Sequence, residues 1–259
     1  MALQISMSDR YCELKDDDAL PLILHALDQT PQRTPAWWAR RSNRLSGSKL
    51  SQLLFITQGT DMAIYREEVL GIRPRPPLDE RGKRNVKWGI ENEPNACATA
   101  LHHLHNIRVW EVGFEQHPTH DWFGSSPDGV VHWPGRGYGA MEIKCSTKLN
   151  AKGINVPHQG VPYYYIPQLH AEMRCLPINP CTWTLFVSWS STKTKIYIVQ
   201  FDEDYFAILW DCMVDFMAGD VPYSTWRLKQ ARLANASREV ARNAELIGTY
   251  DSCVVSTTT

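Results

Sequence analysis

Ser125-Ser126-Pro127-Asp128-Gly129 and, beyond one turn, Glu142-Ile143-Lys144 decide how this chain is read. Between them Pro134-Gly135-Arg136-Gly137 has the composition of a tight turn. The flanking runs, Trp122 to Trp133 and Tyr138 to Cys145, are therefore expected to form an antiparallel hairpin. If it turns about Gly135, Asp128 and Glu142 are equidistant from the turn and face each other, with Cβ atoms ~4.5–5.5 Å apart. Side chains alternate along a strand, so Glu142 and Lys144 share one face while Ile143 points into the core. Taken singly, an ordinary Asp-Gly turn and a solvated strand face account for these residues. Taken together they do not, because facing carboxylates repel and need a cation to justify the arrangement. Oxygen-only ligands favour Mg²⁺, or Mn²⁺ in its place, over zinc.

Upstream the pattern is helical. An apolar stretch runs from Ala19 to Leu27, and Thr34-Pro35 is a good helix start for the segment carrying Trp37 and Trp38. Further helices are expected from Ser46 to about Phe55, from Asp61 to Leu70 and from Trp88 to His105, with the Pro-rich linker Arg73 to Pro77 between the last two. A strand at Arg108 to Glu115 precedes the hairpin. Downstream, a helix at Tyr163 to Leu176 leads to strands at Thr182 to Trp189 and Lys195 to Phe201. Helices at Asp202 to Met217 and Thr225 to Leu246 follow, and the tail after Gly248 reads as frayed. Helices, a run of strands, then a helix and more strands imply a mixed sheet in an α/β or α+β core.

Composition sets outer limits. Across 259 residues, 43% hydrophobic and 21% charged residues exclude wholesale disorder. The net charge of −1 removes the simplest argument for nucleic-acid binding, a global basic excess, so an anionic ligand must be held by a local site. Seven cysteines without a CxxC pair signal neither a disulfide framework nor structural zinc. The first residues lack the form of a secretory signal, and no apolar run approaches the ~20 residues that span a bilayer. An intracellular, reducing compartment is expected. His102, His103 and His105 are better explained by an exposed helix end than by a zinc site, since only His102 and His105 share a face. Most tryptophans, and Tyr163 to Tyr165, read as packing residues, although Trp37 and Trp38 beside Arg40 and Arg41 could meet a DNA end.

Pro127-Asp128 with Glu142-Ile143-Lys144 resembles the PD-(D/E)xK nuclease signature. Within that superfamily the chain is similar to the phage lambda exonuclease and YqaJ-type viral recombinase group, the alkaline exonucleases. Trp88-Gly89-Ile90-Glu91-Asn92-Glu93 resembles that group's tryptophan-glycine helix, Trp37 to Ser48 its N-terminal motif, and Tyr165 to His170 its aromatic and glutamine motif. The motifs occur in family order from Thr34 to Val221, and such a series is far more specific than the acid–lysine pair alone.

The resemblance implies an α/β fold with a restriction-endonuclease-like core, a mixed central β-sheet flanked by helices, and an N-terminal helical layer. It implies one nuclease domain over 1–259: the helical layer with a 5′-end motif at 1–77, the core at 78–221, and a C-terminal helix and tail at 222–259. It implies Asp128 and Glu142 as metal ligands, with Glu93 as third acid and the Ile143 carbonyl as a further ligand. Lys144 would act on the attacking water, and Gln168 would orient Lys144 or the phosphate. Arg41 and Ser48 would hold a terminal 5′-phosphate, with Arg44 an alternative to Arg41; His170 stands where relatives often carry a second glutamine. The implied activity is Mg²⁺-dependent 5′→3′ digestion of linear double-stranded DNA. Structure- or site-specific endonuclease activity on the same core and non-catalytic DNA-end binding are the competing readings. The implied partners are duplex DNA ends, a single-strand annealing protein, and further copies of the chain in a homotrimer.

Overall fold

The structure, a computed structural model, describes residues 25–178 and 181–254. Most of the apolar stretch Ala19 to Leu27, and the end of the tail from residue 255, lie outside the described residues. Helix α1 (Pro35–Arg41) begins as expected, with Thr34 Oγ1 accepting the Trp37 N–H at 3.3 Å. It leads through strand β1 (Leu45–Ser46) into a 3₁₀-helix at Gly47–Leu54 and helix α2 (Gly59–Val69). Helix α3 (Glu80–His103) starts earlier than Trp88, where the expectation placed it. Asp79 caps it by accepting the Gly82 N–H at 2.6 Å, and the early turns are polar because they face solvent, so no apolar stripe marks them.

The hairpin takes the expected register. Strands β5 (Gly129–Trp133) and β6 (Gly137–Cys145) pair antiparallel from Gly129 opposite Met141 to Trp133 opposite Gly137, every pair equidistant from residue 135. Gly135 and Gly137 both have positive φ, at 85° and 75°, which an L side chain at the turn would resist. Two expected strands are each divided. Arg108 to Glu115 becomes β2 (Arg108–Trp110) and β3 (Glu115–Gln116), and Trp122 to Trp133 becomes β4 (Phe123–Ser125) and β5. The pieces belong to different sheets, because the chain leaves β4 at Ser126 and enters β5 at Gly129. A continuous apolar run does not reveal such a change of partner.

The main sheet has the order β2-β5-β6-β7-β8-β9, with β7 at Trp183–Trp189, β8 at Lys193–Gln200 and β9 at Glu245–Asp251. Only the β6–β7 pair is parallel, and its crossover carries a 3₁₀ turn at Tyr163–Tyr165 and helix α4 (Ile166–Cys175). Met141 and Ile143 pack with Leu185 and Val187 beneath Ala96 and Ala100 of α3. The alternate residues face the other way, where Phe186 packs with Ile166 and Leu169 of α4 and with α5 (Glu203–Ala218) and α6 (Tyr223–Arg242). Alternation thus turns Glu142 toward α4. Each large side chain fully buried in these layers, such as Phe186 or Trp226, contributes about 1.5–3 kcal/mol.

Strand β9 corrects the expected helix to Leu246 and the frayed tail. Helix α6 stops at Arg242, and residues 245–251 pair antiparallel with β8, with a bulge where Ile196 and Tyr197 meet Gly248 and Leu246. As an edge strand β9 is largely exposed and carries no clean alternation. A second sheet, β1-β4-β3, ties the N-terminal helices to the core through parallel pairing of Leu45 with Phe123. Gly47 seats this layer: a Cβ there would lie 3.0 Å from the Cβ of Ser125 and 3.6 Å from that of Ala171.

Candidate functional site

A cleft of about 740 Å³ opens where α1, α3, the crossover and the end of β6 meet. At its acidic side Glu142 is 2% exposed, which overturns the picture of a solvated strand face. Its Oε1 accepts from Gln168 Nε2 at 2.6 Å and from Lys144 Nζ. Its Oε2 is buried without a partner. Asp128, just before β5 and opposite Glu142 in register, accepts the Ile143 N–H at 2.7 Å through Oδ2. Burial, then the neighbouring charges of Glu142 and Glu93, push the Asp128 carboxyl well above the usual carboxylate range. Burial alone would lower the Lys144 ammonium, but Glu142 next to it holds it above the ordinary lysine value. Lys144 also lies 4.9 Å from the centre of the Tyr165 ring, so Tyr165 belongs to the site and is more than a packing residue.

Glu172 is the acid that sequence reasoning missed. It is fully buried on α4 and accepts from Gln168 Nε2 at 2.8 Å, while its Oε2 has no partner. Gln168 therefore donates to two carboxylates, and Glu142, one of them, also accepts from Lys144 through the same oxygen. The spacing Gln168 to Glu172, one helical turn, was the available signal. Burial, then Glu142, raises the Glu172 carboxyl well above its usual range. Glu93 lines the cleft on α3 and pairs with Arg33, a cation the sequence reading did not single out.

The basic side is built from short elements. Arg41 at the end of α1 donates to Ser48 of the 3₁₀-helix and lies 4.7 Å from the Trp37 ring centre. Burial lowers the Arg41 guanidinium to about 10, still charged at neutral pH. Arg41 also lines an adjoining cavity of about 330 Å³ with Lys49, Arg75, Glu68 and Trp38. Burial, then Arg75 and Arg41, push the Lys49 ammonium down to about 7. Lys49 and Arg75 were not anticipated; Arg75 hid in the Pro-rich linker. Trp38 is 55% exposed beside them. Arg44, the alternative to Arg41, is committed to the carbonyls of Asp121 at 2.7 Å and Arg40 at 2.6 Å.

Other singled-out residues lie elsewhere. His170 is fully buried, with Nδ1 placed to donate to the Ile166 carbonyl at 3.1 Å and Nε2 accepting the Asp202 N–H at 3.2 Å. It joins α4 to the start of α5 and does not face the cleft. His103 stacks on Tyr250 of β9 at 4.7 Å, as a helix end packed on an edge strand. Among the described residues no three His, Cys, Asp or Glu side chains form a metal cage. Two carboxylates, a backbone carbonyl and water nevertheless make a fitting set for Mg²⁺, which keeps several waters and takes few protein ligands. Glu142 Oε2 and Glu172 Oε2 are both unpartnered, and the former, on the acid opposite Asp128, is the one placed to take such an ion.

Comparison with known proteins follows this geometry. A family model described as a YqaJ-like viral recombinase domain matches residues 36–179. The crystal structure of an alkaline exonuclease, LHK-Exo, from Laribacter hongkongensis is similar at a TM-score of 0.52 and 21% identity, covering 80% of this chain and 100% of that one. The structure of LHK-Exo in complex with dAMP is similar at a TM-score of 0.50 with the same identity and coverage. No curated protein matches the sequence. At this identity the likeness is one of fold: a restriction-endonuclease-like mixed sheet flanked by helices.

Proposed function

Because the chain belongs to the YqaJ-like viral recombinase domain family, we propose that it is a Mg²⁺-dependent deoxyribonuclease that digests linear double-stranded DNA from 5′ ends. The observation that carries this reading is the Glu142 carboxylate: buried, with one oxygen tied to Lys144 and Gln168 and the other unpaired, beside a second buried acid. Such an arrangement stores repulsion that a divalent cation relieves. The release of mononucleotides suits a fold whose relative LHK-Exo was captured with dAMP.

In this mechanism Asp128 and Glu142, with the Ile143 carbonyl, hold the cation, and Glu93 adds charge from across the cleft. Bound Mg²⁺ would activate water and offset charge on the scissile phosphate. Lys144 stays protonated, so it serves as a hydrogen-bond donor to the attacking water and the developing negative charge, and not as a base. Gln168 and Glu172 fix the rotamer of Glu142. Arg41 and Ser48 hold the terminal phosphate, with Arg75 adding positive charge behind them. A terminal phosphate carries more charge than an internal diester, and a chain with net charge near zero must rely on that contact for entry.

The test is digestion of linear duplex labelled at either strand end, beside a closed circle of the same sequence, with Mg²⁺ and with excess chelator. Loss of 5′-terminal nucleotides from the linear form only, with Mg²⁺ only, is the expected result. Cutting of the circle would favour the endonuclease reading, and full activity in chelator would remove the metal from the mechanism. Annealing partner and trimer remain parts of this proposal, read by co-purification and by mass in solution.

A further inference from the structure

A second cavity, of about 820 Å³, lies outside the acid–lysine site, between the segment after β6 and the last turns of α6. Its walls include Lys148, His158, Tyr163, Arg238, Arg242 and Leu246. Lys148 and His158 also line the catalytic cleft, so the two depressions adjoin. Lys148, Arg238 and Arg242 are exposed, and none makes an ion pair among the described residues. Arg238 is held over the Tyr163 ring at 4.6 Å, and its Nη1 donates to Asn235 at 3.1 Å. Arg242 Nε donates to the Arg238 carbonyl at 3.2 Å, which holds the Arg242 side chain at the helix end. The cations thus lie beside the Tyr163 ring and the apolar Leu246 side chain. A duplex turns only phosphates outward, whereas a single strand offers phosphates and exposed base faces together.

We propose that this groove binds single-stranded DNA, namely the strand left undigested as its complement is consumed in the catalytic cleft. The assignment of that strand rests on the nuclease reading above; the groove's chemistry does not. As the end of one strand enters the acidic cleft, the other must part from it, and the adjoining groove, with Lys148 at the shared wall and Arg238 and Arg242 beyond, gives it a basic path.

The experiment measures binding by fluorescence anisotropy in excess chelator, so that nothing is cut, using blunt duplex and the same duplex with a 3′ single-stranded tail. The parental protein should bind the tailed form more tightly. Arg238→Ala with Arg242→Ala should remove that preference, weakening the tailed complex on the order of tenfold while blunt duplex changes far less. Losing two single-strand phosphate contacts should flatten the plot of log affinity against log salt by about 1.4. Charge reversal, Arg238→Glu with Arg242→Glu, should exceed the alanine effect, and a thermal melt checks that each variant is folded. A parental protein indifferent to the tail, a folded variant that keeps the preference, or equal losses on both ligands would each overturn the groove. The two readings fail separately. A parental protein that shows the Arg-dependent tail preference but digests no DNA with Mg²⁺ would defeat the nuclease reading and support the groove. One that digests DNA without that preference would defeat the groove alone.

Discussion

The acidic and basic sides of the cleft are made of different material. Glu142, Gln168 and Glu172 sit on a central strand and on the crossover helix packed over it, nearly or wholly buried, each fixed by the next. Arg41, Lys49 and Arg75 sit on a seven-residue helix, a 3₁₀-helix and a Pro-rich linker. Charges in the first group interact at low effective dielectric and scarcely feel salt, whereas the second group is half-buried at Arg41 and Lys49 and exposed at Arg75, so salt screens it more, over about 8–10 Å. The buried side is suited to chemistry that requires fixed geometry. The open side suits capture of a charged end that arrives and leaves.

The largest expected effect tests the buried side. Glu142→Gln keeps an oxygen that can accept from Gln168 and Lys144 but deletes the charge that would hold the cation. A fall in the rate of duplex digestion of about 10³-fold or more is expected, with the thermal unfolding profile still cooperative. Lys144→Ala should do the same by removing the donor at the reacting phosphate. Parental rates from a folded Glu142→Gln protein would mean that the acids are structural, and the contrast between the two sides would collapse.

A smaller effect should come from the open side. Arg41→Ala is expected to cost roughly 10–100-fold in kcat/KM on 5′-phosphorylated ends and little on 5′-hydroxyl ends, equivalent to ~1.4–2.8 kcal/mol. Raising the salt should shrink the difference between parent and variant. The readout is the ratio of rates on matched duplexes at two ionic strengths. Equal losses on both kinds of end, independent of salt, would show Arg41 acting by packing on Trp37 and not by holding the phosphate.

The sequence disclosed the buried side more fully than the open one, for physical reasons. Strand period and a symmetric turn fix register, so Asp128, Glu142 and the inward Ile143 followed from counting residues about Gly135. Glu172 escaped because a helix carries acids on any face, and only packing against β6 decides that this one is interior. Lys49 and Arg75 escaped because a 3₁₀-helix and a Pro-rich linker have no period that forecasts where a side chain points. The N-terminal halves of α3 and β9 share another reason: both are solvent-exposed, so the hydrophobic pattern that announces an element is missing from them.

The smallest expected effect asks whether burial as the main cause, with a neighbouring acid only a minor one, gives a carboxyl the strain seen on the acidic side. Glu115 on β3 is 8% exposed and lies apart from the cleft. Its Oε1 accepts the Asp28 N–H at 2.6 Å, a bond that a glutamine oxygen would keep. Burial, with a smaller push from the Asp28 charge, raises its carboxyl to about 7, partly offset by that N–H and by Arg40. In the unfolded chain the same group titrates near ~4.3. Between these values the folded state binds more protons than the unfolded one, so this group's contribution to stability is present at low pH and is lost as pH rises toward 7. Glu115→Gln removes the titration without removing the bond. The variant should therefore be the more stable form at pH 8, by on the order of 1–2 kcal/mol, and the gap should close toward pH 5. The buried His170, held down to about 4 by desolvation, acts in the opposite sense and is common to both proteins, so it cancels in the difference. Denaturant unfolding of parent and variant at pH 5, 6.5 and 8 gives the comparison directly. A gap that is constant with pH would show that Glu115 is not neutralised by folding, and would leave charge crowding, rather than burial, as the cause of the strain around Glu142.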